Sequence, residues 1–141
     1  MVHQKLESKF FEKNRNVIPG GVVSVNRAVA PALAFVRGDE LAVPWENAHT
    51  IAHGMRVPSA IADYMILRVL RNSGGGAIAI KDDDMIHHKR LTAQLEGVVV
   101  GPEGGAVVAA ARRLIEHGTL SQTDKILLIN TGSGLKNLDL M

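Results

Sequence analysis

Short apolar runs and longer helix-like segments follow one another along residues 46–141 and predict alternating strands and helices. Three runs are apolar at every position, as in strands buried on both faces, and they span Ala77–Ile80, Val98–Val100 and Ile126–Ile129. Three longer segments carry helix-start and helix-stop signals, and they span Ser59–Arg71 behind Pro58, Asp82–Glu96 before Gly97, and Pro102 onward to Gly118. This alternation predicts an α/β fold in three layers, with a short parallel sheet and helices on both of its faces.

The first 45 residues are less regular than the rest. A polar amphipathic helix is predicted over about Gln4–Asn14, and Pro19 with the two glycines behind it ends the helical pattern. Ala32–Val36 predicts a short strand and Arg37–Glu40 a turn. The chain is therefore predicted to divide into an N-terminal helix with an irregular segment over residues 1–43 and an α/β domain over residues 44–141.

Composition narrows the class of protein. The 141 residues suit one compact domain, and 46% hydrophobic with 21% charged residues argues against disorder. There is no cysteine, which removes thiol catalysis and thiolate metal sites. The apolar runs are too short to cross a bilayer, and the N-terminus lacks the apolar stretch of a secretory signal, so we expect a cytoplasmic protein and no membrane partner.

The charge pattern gives no sign of a nucleic-acid partner. The net charge is only +2, and the chain has one Trp, one Tyr and three Phe, too few for a stacking platform. The basic residues occur in scattered pairs such as Lys89 with Arg90 and Arg112 with Arg113, which predicts solvated helix faces.

A glycine-rich turn follows the last apolar run. It contains Thr131, Gly132, Ser133 and Gly134. Ligands of open α/β sheets bind at the carboxyl ends of the strands, where this turn is predicted to lie. The two hydroxyls offer hydrogen bonds, and the N–H groups of Gly132 and Gly134 suit a small anion nest. The alternative is a loop that leads into a helix and binds nothing.

The other groupings of polar residues are weaker. His49 and His53 have the spacing of two metal ligands on a helix, but Gly54 makes a helix there insecure, so no metal site is predicted. His87 and His88 are neighbours and point in different directions, which predicts surface or partly covered side chains. The three aspartates from Asp82 are better explained as the start of a helix than as a metal cluster.

Several motifs of residues 44–140 resemble the C-terminal third of threonine synthases. They are Glu46–Pro58, Leu67-Arg68, the turn Ser73–Gly75, Leu95–Gly97, Pro102–Gly104 and the ending Asn130–Lys136. Threonine synthases are pyridoxal-phosphate enzymes of the tryptophan-synthase-β-like fold. The predicted order of helices and strands is independently consistent with that fold.

Residues 1–36 resemble a different family. Phe10-Phe-Glu, Asn16–Ser24 with Arg27, and Pro31–Gly38 are similar to the start of class III aminotransferases, among them the glutamate-1-semialdehyde aminomutases. The two families share a cofactor and differ in fold. A chain that combines both patterns looks like a fusion, a recombinant or a gene remnant, joined near Val36–Pro44.

The resemblance implies pyridoxal phosphate as cofactor and gives the glycine turn a role. In threonine synthases a hydroxyl of the final glycine turn bonds the pyridine nitrogen, and that position matches Thr131, with Ser133 as the alternative. The lysine that forms the Schiff base and the phosphate loop lie upstream of the matched region in that family. No catalytic residue is therefore assigned, and Gly132 and Gly134 complete the predicted cofactor-binding set.

The resemblance leaves three functions open. The first is a fragment or fusion of a threonine synthase, which converts O-phosphohomoserine to threonine and phosphate, that is inactive alone and binds the cofactor weakly or not at all. The second is a subunit whose lysine and phosphate loop come from another chain. The third is a non-catalytic α/β domain that binds a small ligand or a partner. Uncovered apolar surface predicts a homo-oligomer or a complementing chain.

Overall fold

The structure is a computed structural model and describes residues 21–23, 34–35, 37–44, 46–59, 61–136 and 138–140. Its strands are β1 (Gly21–Val23) and β2 (Gly76–Ile78), and its α-helices are α1 (Asp63–Ser73), α2 (Asp82–Glu96) and α3 (Pro102–Glu116). Single 3-10 turns span His53–Met55, Gly134–Lys136 and Leu138–Leu140. The helix predicted over Gln4–Asn14 lies outside the described residues.

Local signals define the bounds of α2 and α3, and here the sequence prediction is confirmed. Pro102 occupies the first turn of α3, where its missing N–H costs nothing. Gly97 follows α2 at φ 68°, a left-handed conformation that glycine adopts without strain, and Gly74 follows α1 in the same way at φ 62°. The Asp82 carboxylate does not cap its own helix.

The start predicted for α1 was too early. The helix begins at Asp63, whereas the sequence placed its start at Pro58. Asp63 determines how the chain enters the helix, because its Oδ2 accepts the N–H of Ala42 at 2.7 Å while its Oδ1 accepts the N–H of Tyr64 at 2.7 Å. A contact 21 residues away along the chain is not visible in a local pattern.

The fold class is α/β, as predicted, but the sheet differs from the expected one. β1 and β2 pair in parallel, from Gly21 opposite Gly76 to Val23 opposite Ile78. Within the described part of the chain, Val98–Val100 and Ile126–Ile129 form no ladder, so the prediction of three paired strands was wrong. An apolar run reports a tendency to be buried, whereas a strand also needs a neighbour to share its backbone hydrogen bonds.

A second strand prediction was also wrong. Ala34 and Phe35, within the expected strand Ala32–Val36, are helical. Their carbonyl oxygens accept the N–H groups of Asp39 at 2.8 Å and Gly38 at 3.2 Å.

The core lies where α2 packs against α3. Its buried side chains are mostly small, and they belong to Ala52, Met55, Ile80, Met85, Ala106, Ala109 and Ala110. Gly105 permits the close approach of the two helices, because a Cβ there would overlap the carbonyl oxygen of Met85. Arg113 adds an ion pair to Asp84 at 2.8 Å and donates to the carbonyl oxygen of Ala79 at 3.0 Å.

Two side chains of α2 are more buried than the sequence indicated. Lys89 was expected on a solvated face, yet it is buried, and its Nζ donates to the carbonyl oxygen of Leu140 at 3.4 Å. His88 is also buried, with Nδ1 2.8 Å from the carbonyl oxygen of Asp84. The Lys89 contact spans 51 positions of sequence, whereas the His88 contact lies within α2. None of the helices described in the structure is long and apolar enough to span a bilayer.

Candidate functional site

The glycine turn lies against the loop before α3. The Gly101 N–H donates to the Gly132 carbonyl oxygen at 3.0 Å, and the Gly134 N–H donates to the Val99 carbonyl oxygen at 2.9 Å. An isolated antiparallel bridge joins Val100 and Ser133. The backbone of the turn is therefore held by tertiary hydrogen bonds, and no strand ladder precedes it among the residues described.

Gly134 is required for close contact, not for backbone freedom. Neither Gly132 nor Gly134 has a positive φ. A Cβ at Gly134 would overlap the carbonyl oxygen of Val100 and lie 2.6 Å from Val99 Cγ1. A Cβ at Gly132 would meet only Glu103 Oε2, at 3.8 Å. The two glycines thus differ: one has no space for a side chain, and the other has room for one.

The structure shows which hydrogen-bonding groups of the predicted site residues remain available to a ligand. The N–H of Gly134 already donates to Val99, so it is not available for the anion nest proposed from the sequence. The Ser133 hydroxyl accepts the N–H of Leu135 at 3.3 Å. The Thr131 side chain is exposed, and its hydroxyl makes no hydrogen bond within the described part of the chain. Thr131 is therefore the turn residue whose hydroxyl has no partner among the described residues, while Ser133 accepts one bond and keeps its O–H hydrogen for donation.

Glu103 lies beside the glycine turn, in a position that the sequence did not reveal. Its Oε1 accepts the N–H of Gly54 at 3.1 Å, across 49 positions of sequence. Its Oε2 lies close enough to Gly101 that a Cβ there would be only 2.8 Å away. The carboxylate therefore lies between the His53–Met55 turn and the glycine turn. Negative charge is favourable at the start of a helix, which explains a glutamate at this position of α3 without a distant contact. The sequence therefore gave no sign of the bond to Gly54.

Arg56 does not extend this cluster. Its Nη2 and Nε donate to the Thr50 carbonyl oxygen at 2.8 and 3.2 Å. It stabilises its own loop, because both hydrogen bonds go to the carbonyl oxygen of Thr50.

A separate polar cavity of about 290 Å³ lies between α2 and α3. Asp84, His87, His88, Arg112, Arg113 and Glu116 contribute to its lining. Both arginines are already paired with carboxylates of the same cavity. No residue of the glycine turn lines it. The described residues contain no group of three His, Cys, Asp or Glu side chains placed to hold a metal ion.

Comparison with known proteins identifies the family to which this chain is similar. A family model described as pyridoxal-phosphate dependent enzyme matches residues 8–132. The threonine synthase of Methanocaldococcus jannaschii is 31% identical over 106 residues, 75% of this chain and 26% of that protein. The threonine synthase of Methanosarcina acetivorans is 31% identical over 104 residues, 74% of this chain and 26% of that protein. The chain thus spans about a quarter of the length of these curated relatives.

A solved structure shares the fold. The crystal structure of a threonine deaminase from T.th. superposes with a TM-score of 0.53 at 19% sequence identity, covering 82% of this chain and 51% of that one. The family match begins at residue 8 and so runs through the predicted boundary between residues 43 and 44. That boundary and the aminotransferase resemblance of residues 1–36 stay predictions.

Proposed function

The chain belongs to the pyridoxal-phosphate dependent enzyme family, and from that premise we propose that it forms one wall of the cofactor site of a threonine-synthase-like lyase. The observation that carries the proposal is the free, exposed Thr131 hydroxyl on a turn whose backbone is tied to the loop before α3. These bonds fix the backbone of the turn, and the Thr131 hydroxyl stays available to a ligand because it is not engaged by another described residue.

The described residues suit one end of pyridoxal phosphate and not the other. A neutral hydroxyl such as that of Thr131 is a suitable partner for an unprotonated ring nitrogen. The phosphate needs several N–H donors or a positive charge. At this turn the N–H of Gly134 is already used, and the Glu103 carboxylate lies beside Gly132 and would repel an anion.

The cofactor and the residues around it have separate roles in the proposed site. Bound pyridoxal phosphate supplies an electron sink for a carbanion formed on the substrate. Thr131 would donate its hydroxyl hydrogen to the ring nitrogen and, being uncharged, would leave that nitrogen unprotonated. Glu103 holds the His53–Met55 turn against the start of α3 through its bond to Gly54, and Gly134 keeps the glycine turn close to Val99 and Val100.

We infer that this stretch of the family fold does not include the Schiff-base lysine and the phosphate cradle. Two observations support this: the relatives are about four times as long as the stretch they share with this chain, and the turn has no phosphate cradle of its own. The chain by itself is then inactive toward O-phosphohomoserine. One hydrogen bond contributes about 0.5–1.5 kcal/mol, while millimolar affinity already needs about 4 kcal/mol, so the isolated chain binds the cofactor weakly at best.

The test is a titration with pyridoxal phosphate followed by absorbance and fluorescence. The chain is titrated alone and together with the part of the Methanocaldococcus jannaschii threonine synthase outside the matched region. We expect saturable binding only in the mixture. Thr131→Val should weaken it roughly 2- to 10-fold, the equivalent of one hydrogen bond, without changing the melting temperature.

Thr119→Val is the matched control, because Thr119 is also an exposed threonine and only its backbone N–H is engaged, with Leu114. It should change neither affinity nor stability. Thr131→Val that unfolds the chain and leaves cofactor affinity untouched would assign the hydroxyl a structural role and refute the proposal. Cofactor-dependent phosphate release by the pure chain would refute its inactivity.

A further inference from the structure

The polar cavity between α2 and α3 has no role in the proposed cofactor site. All of its lining residues belong to these two helices, which the structure describes from end to end. Its volume is about 290 Å³. Since one water molecule takes about 30 Å³ of the liquid, the cavity has room for a small organic molecule.

His88 brings to this cavity a buried nitrogen without a partner. The residue is 8% exposed, and its Nδ1 lies 2.8 Å from the carbonyl oxygen of Asp84. Because a carbonyl oxygen only accepts, Nδ1 carries the ring hydrogen, and Nε2 of the neutral ring keeps its lone pair. No described residue donates a hydrogen bond to this buried Nε2. An unsatisfied buried acceptor is unfavourable, so a donor group on a ligand would be stabilised there.

Access to this nitrogen depends on the neighbouring histidine. The exposed His87 ring packs edge-on against the ring of His88, with the two centroids 4.9 Å apart. Exposed side chains change rotamer quickly, within picoseconds to nanoseconds. His87 can therefore turn aside and let a ligand reach Nε2 without any movement of the two helices.

The two ion pairs of the cavity leave charged atoms of both signs without a partner. Arg112 Nε bonds Glu116 Oε1 at 2.8 Å, and both Nη groups of Arg112 are unengaged by the described residues. Asp84 accepts Arg113 Nη2 with Oδ2, also at 2.8 Å, and its Oδ1 has no such partner. The free guanidinium nitrogens suit a carboxylate, and the free carboxylate oxygen suits an ammonium group.

The balance of charge selects the class of ligand. Two arginines and two carboxylates line the cavity, so its formal charge is zero when both histidines are neutral. A simple anion would bind beside the carboxylates and a simple cation beside the arginines, and each would be repelled by them. A molecule that carries one charge of each sign is matched on both walls.

We propose that this cavity binds a free α-amino acid with a small side chain. The ammonium group donates to His88 Nε2 and Asp84 Oδ1 on the α2 wall, and the carboxylate accepts from the Nη groups of Arg112 on the α3 wall. No residue of the glycine turn lines the cavity, so this second site is separate from the proposed cofactor site and does not depend on it.

The experiment titrates the full chain with glycine, the smallest α-amino acid, and with acetate and methylamine, which each carry only one of its charges. Calorimetry measures the affinity at constant ionic strength, without cofactor. We expect glycine to bind with a Kd below about 10 mM and the other two at least tenfold more weakly. In nitrogen NMR of the histidine rings, the Nε2 signal of His88 should shift when glycine binds. The ring of His117, which is exposed at the end of α3, should show no shift.

A pair of variants locates the site. Arg112→Gln removes the guanidinium that would hold the carboxylate, and it should weaken glycine binding at least tenfold. Arg68→Gln is the matched control, because Arg68 is also an exposed arginine of a helix but lies on α1, outside the cavity. It should change the affinity less than twofold.

Each other outcome overturns the inference. Acetate that binds as tightly as glycine would make the cavity a site for anions, and methylamine that does so would make it a site for cations. The absence of saturable glycine binding below about 10 mM would remove the site. An unshifted His88 signal, or affinity unchanged by Arg112→Gln, would place the bound glycine elsewhere on the protein. None of these results concerns Thr131, so the proposed function stands or fails separately.

Discussion

Replacing Gly134 with alanine tests whether close contact, and not backbone freedom, makes this position glycine. Its φ is not positive, so alanine is compatible with the local backbone. The added Cβ would, however, overlap the Val100 carbonyl oxygen and lie 2.6 Å from Val99 Cγ1. Either the turn moves away from the loop before α3 or the loop moves away from the turn.

The magnitude follows from what that movement breaks. Overpacking at a tight contact costs about 1–3 kcal/mol. Loss of the Gly134–Val99 hydrogen bond adds about 0.5–1.5 kcal/mol. We therefore expect Gly134→Ala to lower the free energy of unfolding by about 2–4 kcal/mol. At roughly 3 °C per kcal/mol for a chain of this size, the melting temperature should fall by about 6–12 °C.

Gly132→Ala in the same turn is the matched comparison. Its Cβ would meet nothing closer than Glu103 Oε2 at 3.8 Å, an ordinary contact. Alanine there restricts the unfolded chain and should stabilise the protein by up to about 1 kcal/mol. Thermal denaturation of the two variants side by side checks both signs. Equal melting temperatures, or a larger loss at Gly132, would refute the close-contact explanation.

Two further predictions concern contacts that span the chain. Asp82→Ala should lower the free energy of unfolding in urea by about 2–4 kcal/mol, because its carboxylate accepts the Thr50 hydroxyl at 2.5 Å and the Ile51 N–H at 3.1 Å. Asp83→Ala removes the same charge from the same helix turn, but Asp83 is exposed, so the loss should be less than about 1 kcal/mol. Glu103→Ala should speed hydrogen exchange of the Gly54 amide, whereas Glu103→Gln keeps an acceptor oxygen and should preserve its protection; equal exchange in the two variants would show that the bond is unimportant.

The sequence was most informative where a structural signal acts within one helical turn. The bounds of α2 and α3 depend on Pro102 and on Gly97. These act on backbone groups at most about four residues away. The α/β class follows from the same signals, because apolar runs alternate with segments that begin and end as helices do.

The candidate site was only partly visible from the sequence. The resemblance to threonine synthases singled out Thr131, and in the structure its hydroxyl makes no hydrogen bond to another described residue. The position of Glu103 against Gly54 could not be inferred, since a carboxylate at a helix start is explained locally. The use of the Gly134 N–H by Val99 was hidden for a similar reason, because its acceptor lies far away in the chain, before α3.

The sequence alone determined where α2 and α3 begin and end, because capping and backbone conformation depend on neighbours along the chain. Tertiary structure alone decided which apolar runs pair, since a strand needs a second strand and Ile126–Ile129 has none within the described residues. It also buried Lys89, on a helix whose own sequence marks that residue for solvent. Pairing and burial are properties of what packs against a residue, and for Lys89 the partner is Leu140, 51 positions further along the chain.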